Sequence, residues 1–168
     1  TGADHNISIG FQAGDLLGPG NVAIGKGTLS GNNTGEYNVA IGFDAGNDVT
    51  TGQDNVLIGK NAADSLTTGG NNVIIGKQAG DGFTTNTTMT LIGSEAGTAI
   101  NSNNANGTVA VGYQSLVSLT SGATNTAIGT RSGDAATTAS GSVFLGNNAG
   151  GSITTGNQSI AIGLNAMN

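Results

Sequence analysis

Cysteine and tryptophan are absent, proline and histidine each occur once, and only four side chains are basic. Each shortage removes a class of function. Without cysteine there is no disulfide framework, thiol nucleophile or cysteine metal site. Lys26, Lys60, Lys77 and Arg131 stand against ten acids, a net charge of −6, so a basic nucleic-acid-binding surface is excluded. His5 is the lone histidine and lies near one end, so no Ser-His-Asp triad can be assembled within the chain's interior. No apolar run approaches the length of a membrane-spanning helix, and membrane insertion is not expected. Charged residues make up only 8% of the chain, too few for a solvating disordered segment.

What the chain does have is glycine (31 residues), asparagine, threonine and serine, together with β-branched residues. The glycines follow no G-X-Y period, which rules out collagen. Strands and tight turns suit this composition; helices do not. The organising unit is Asn38-Val39-Ala40-Ile41-Gly42. Close copies run over 21–25, 55–59, 72–76 and 125–129, and looser ones over 6–10, 89–93, 108–112, 142–146 and 159–163. The closing glycines are separated by 15, 17, 17, 17, 17, 19, 17, 17 and 17 residues. Ten copies at a near-constant step define a repeat array, in which each unit packs mainly on its neighbours. The array reads as one domain over 1–168, cut from a longer fibre, because both ends interrupt the repeat.

Laid on one another, the repeats form rows. Val22, Val39, Val56, Val73 and Val109 occupy the position three residues before the closing glycine, and Ile24, Ile41, Ile58, Ile75 and Ile92 the position one before it. Two residues apart means one face of a strand, and this β-branched face is expected to be the core. The row between them is also apolar: Ala23, Ala40, Leu57, Ile74, Leu91, Ala110 and Phe144. A strand apolar on both faces is buried on both, so this middle row is expected to meet a partner chain. Beyond the glycine come a small residue, often a second glycine, an apolar residue such as Val49, Leu66 or Phe83, and a Thr-Thr pair. Each repeat therefore reads as two short strands joined by two turns. Stacked coils rise about 4.8 Å each, giving a rod roughly 45–50 Å long with Asn21, Asn38, Asn55 and Asn72 as an amide ladder. The period breaks, near Gly18-Pro19-Gly20 and within 101–107, lie in links where insertions are tolerated.

The repeated Asn-Val-Ala-Ile-Gly followed by x-x-Ala resembles the head repeats of YadA-type trimeric autotransporter adhesins and the repeats of bacteriophage tail fibres. The resemblance covers essentially the whole array, with a longer repeat and a Thr-rich second segment than autotransporter heads carry. It implies an all-β parallel β-solenoid, a left-handed β-roll of ten coils of about 17 residues, in an intertwined or side-by-side homotrimer. It also implies an extracellular place, on a virion tail fibre or a bacterial surface, and attachment to a host-surface glycan or protein receptor. The residues alone call for a second buried face; the number three comes from the resemblance.

Other chemistry was weighed against that reading. Asp44 with Asp48, or Asp64 with Asp81, offers paired carboxylates, but aspartate at turns ordinarily serves backbone hydrogen bonds. The G-G-x-G-x-D calcium pattern and the G-x-x-x-x-G-K-[ST] phosphate loop are both missing. No catalytic residue, metal or cofactor is therefore assigned. The Thr-Thr pairs suggest the alternative of a monomeric solenoid binding ice or carbohydrate through a Thr-rich face. Just after the repeat glycine, Phe11, Phe43, Lys60, Lys77 and Tyr113, with Lys26 among them, form a corner row that is the candidate receptor contact.

Overall fold

The computed structural model describes residues 5–15, 17–31 and 34–168. The chain is an all-β parallel solenoid. Each repeat contributes one three-residue strand: β1 (Ile7–Ile9), β2 (Val22–Ile24), β3 (Val39–Ile41), β4 (Val56–Ile58), β5 (Val73–Ile75), β6 (Thr90–Ile92), β7 (Val109–Val111), β8 (Thr126–Ile128), β9 (Val143–Leu145) and β10 (Ile160–Ile162). They form one sheet in sequence order, every neighbour parallel. Register follows the repeat, with Val39 beside Val56, Ala40 beside Leu57 and Ile41 beside Ile58. A repeat of constant length makes that register self-consistent from coil to coil.

The expectation of a second strand per coil is not met. Among the described residues, the chain after the repeat glycine runs through turns and bends, with a single 3₁₀ helix at Asn103–Ala105 where the repeat is two residues longer. The backbone still pairs with the next coil there, for example Thr50 N–H to Thr67 O at 2.9 Å. Left-handed residues break the extended conformation too often for a strand. Gln78 and Gly80 in one coil, and Arg131 and Gly133 in another, have φ between 54° and 63°.

The assignment of the strand's two faces is corrected by the structure. Ala23, Ala40, Leu57, Ile74, Leu91, Ala110 and Phe144 are fully buried within this one chain. They line the solenoid's own interior together with Val49, Leu66, Phe83, Ile100 and Leu119 from the turn side. They are therefore not the intermolecular contact. The β-branched residues on either side of them, expected to be core, point outward and are at least partly exposed in every strand.

The interior is narrow, and its residues trade volume between coils. A Cβ on Gly133 would stand 2.6 Å from the Phe144 ring, and one on Gly80 would stand 3.0 Å from Leu91. In that layer Ala127 and Ala136 are small, and Phe144 fills the space they leave. Glycine at the end of the strand is required by backbone contact. A Cβ on Gly42 would lie 2.5 Å from Gly59 O, at a φ of +137°.

A buried amide ladder closes the coils that begin with Asn21, Asn38, Asn55, Asn72 and Asn125. The Asn38 amide donates to Gly52 O at 2.8 Å, joining the start of the coil to its end, while its Oδ1 accepts from Asn55 N–H at 3.1 Å in the next coil. Asn55 and Asn72 repeat the pattern. Buried amides satisfied in this way fix register as well as stability. The ladder fails where Met89 replaces asparagine. Asn86, at a position glycine holds in the two preceding coils, sends its amide to Ser102 O at 2.7 Å, which joins the ends of successive coils and satisfies that carbonyl in place of a ladder amide. Two buried polar atoms without partners, Asn86 Oδ1 and Thr108 Oγ1, mark this seam.

Candidate interaction surfaces

The outward face of the sheet carries two columns of side chains, one from the first and one from the third residue of each strand. All are aliphatic except Thr90 and Thr126. In the middle strands these side chains shield one another and are half-buried; toward the ends, Ile7, Ile9, Ile160 and Ile162 are exposed. A face about 45 Å long and roughly 10 Å wide presents on the order of 450 Å² of apolar surface, as large as the functional patches of soluble proteins. The sequence reading missed this face because it placed the same residues in the core. The signal that would have found it is size: half of the middle row is alanine, as a narrow interior favours, while the flanking columns carry none.

The corner row lies one residue beyond the sheet. Phe11, Lys26, Phe43, Lys60, Lys77 and Tyr113 are all exposed there, Phe11 by 70%. Their backbones are held in the inter-coil ladder, as when Phe43 O accepts from Asn61 N–H at 2.8 Å. Lys26 Nζ stands 5.2 Å from the centroid of the Phe43 ring, and Lys60 Nζ stands 5.7 Å from it. Each contact is worth about 0.5–1 kcal/mol at an exposed site. Among the described residues, no lysine is ion-paired with a carboxylate. The neighbouring row is mainly amide, and there Gln114 Nε2 donates to Glu95 Oε2 at 2.8 Å while Arg131 Nε donates to Gln114 Oε1 at 3.3 Å.

The Thr pairs divide by position. The first hydroxyl donates to a main-chain carbonyl of the next coil, as Thr67 Oγ1 does to Thr84 O at 2.9 Å and Thr137 Oγ1 to Thr154 O at 3.0 Å. The second is outward and exposed at Thr51, Thr68, Thr138 and Thr155, but Thr85 is tied to the Asn103 side chain. One interrupted rank thus faces solvent.

The acids form a loose row on the turn side. Burial raises the Asp64 carboxyl above its usual range; the Asn61 amide, at 3.3 Å from Oδ2, opposes the rise, and Asp81, Asp48 and Asp44 add to it. Burial also raises Asp81, against a hydrogen bond from Gln78. His5 is exposed beside the first coil. The described residues enclose no pocket, and no three acids or histidines converge as a metal site. No family model, curated protein or solved structure matches the chain.

Proposed function

We propose that this chain is a non-enzymatic structural and adhesive segment of a homotrimeric fibre, of the kind found in phage tail fibres and bacterial surface adhesins. One observation carries the reading: the outward sheet face is aliphatic except at Thr90 and Thr126 and, among the described residues, nothing in the chain covers it. Burying it against two further copies removes it from water, with a gain of about 25 cal/mol per Å² of apolar surface. The contact rows are then Val39, Val56, Val73 and Val109 with Ile41, Ile58, Ile75 and Ile92. The function is mechanical. Inter-coil backbone ladders stiffen the rod along its axis, packing between chains keeps it straight, and the exposed corners are left to touch a host surface.

Solution molar mass tests this directly. Light scattering is expected to give three times 16.2 kDa, and Ile58→Asp with Ile75→Asp is expected to reduce it to one. A monomeric wild type would refute the trimer. The alternative, a monomer binding ice or carbohydrate through threonine, rests on a single broken outward rank and is the weaker reading; thermal hysteresis in a monomeric sample would favour it.

A further inference from the structure

The chain is acidic overall, yet three of its four basic side chains stand in one rank with aromatics. Lys26, Phe43, Lys60 and Lys77 occupy four successive coils at one corner. Cations placed at random on an acidic rod are expected to find carboxylates. These do not pair with any, among the described residues. Phe43 stands between two of them, and its ring holds both ammonium groups, at 5.2 and 5.7 Å. The two lysines are thereby fixed two coils apart, roughly 10 Å along the rod axis, with Lys77 one coil further on at about 4.8 Å. The row of residues that follows adds the amides of Asn61 and Gln78, which donate and accept hydrogen bonds. It also includes the carboxylate of Asp44 beside Phe43, which opposes an anion there.

We propose that this corner binds a linear anionic polysaccharide lying parallel to the rod axis. The ligand chemistry follows from the side chains. Ammonium groups about 10 Å and then about 5 Å apart along the axis match carboxylates or sulfates carried on successive or alternate sugars. Exposed Phe11 offers an apolar face to a sugar ring, Phe43 serves to hold the two lysines, and the amides suit hydroxyl groups. A neutral glycan would leave the unpaired lysines without purpose, and a nucleic acid would require far more positive charge than an acidic rod supplies. The proposal deepens the adhesive reading by naming a ligand class, but it does not depend on the number of chains.

The test is affinity electrophoresis of the full chain in gels containing polygalacturonate, with dextran as the neutral control. The wild type is expected to be retarded by polygalacturonate alone, and the retardation to fade as salt is raised. Lys26→Gln, Lys60→Gln and Lys77→Gln together are expected to weaken binding at least about tenfold. Phe43→Ala, which frees both lysines, is expected to weaken it less. No retardation of the wild type, equal retardation by dextran, or full binding by the triple variant would overturn the proposal. Molar mass measured on the same samples separates the two readings: a trimer that does not bind overturns only the glycan site, and a monomer that binds overturns only the trimer.

Discussion

Neighbouring residues of one strand face different worlds. Leu91 is sealed inside the coil, while Ile92, the next residue, looks outward. Both are aliphatic, and both belong to columns that run the length of the sheet. The inner column holds each chain's own fold together, because its alanines, leucines and Phe144 fill a narrow interior. The outer columns contribute little to that interior and remain available for association. The interior and the exposed apolar columns thus lie on opposite sides of the same three-residue strand.

The comparison is broken most severely by charge. Leu91→Asp buries an unpaired carboxylate and is expected to cost about 4 kcal/mol or more, abolishing the folded signal in circular dichroism. Ile92→Asp should leave that signal intact and reduce the molar mass. If both variants unfold, or both associate normally, the separation of the two faces is wrong.

Next in size is the corner between the faces. Gly59→Ala places a Cβ 2.6 Å from Gly76 O at a φ of +132°, and is expected to cost about 3 kcal/mol. Gly163→Ala, in the last coil, meets nothing within 4 Å and keeps only the backbone strain of about 1–3 kcal/mol. Thermal melts should rank the two in that order.

The amide seam sharpens the account of the interior. Asn86→Ala removes the bond to Ser102 O and is expected to cost about 1–3 kcal/mol in chemical denaturation. Asn86→Gly combined with Met89→Asn restores the pattern of the other coils, and most of that loss should be recovered. An additive penalty for the pair would show that Asn86 does not stand in for the missing ladder residue.

The smallest effect concerns pH. Burial raises the carboxyls of Asp64 and Asp81, so the folded state binds protons more tightly than the unfolded chain. Stability is then lower when both are ionised and rises as pH falls through their folded values toward the ordinary 3.8. Melting temperature should increase modestly from pH 7 to about 4. Asp64→Asn with Asp81→Asn should flatten the profile; an unchanged profile would remove these two groups from the explanation.

Much of this was legible in the chain. The spacing of Gly42, Gly59 and Gly76 predicts the coil and its register, and the recurrent Asn38, Asn55 and Asn72 predict the ladder that is found. The direction of the strand was not legible. Val39-Ala40-Ile41 alternates with period two, and that period says which residues share a face without saying which face is inside. With apolar residues on both sides, hydrophobicity cannot break the tie. The Thr segment misled for another reason: threonine suits strands, but Thr84 and Thr85 fall in a bend of the coil. Phe11, Phe43, Lys60, Lys77 and Tyr113 fall at one corner, since a fixed repeat aligns equivalent positions. The part of Lys26, holding the other side of the Phe43 ring, needed coordinates.

The amino-acid sequence by itself determined the repeat, the parallel register and the coil-closing asparagines, because each follows from recurrence at a fixed step. Only the tertiary structure decided which apolar row is interior. That choice depends on the width of the closed coil, which admits one row of alanines and larger residues such as Leu57, Ile74, Leu91 and Phe144 but not two β-branched rows. The same closure turned the valine and isoleucine columns outward.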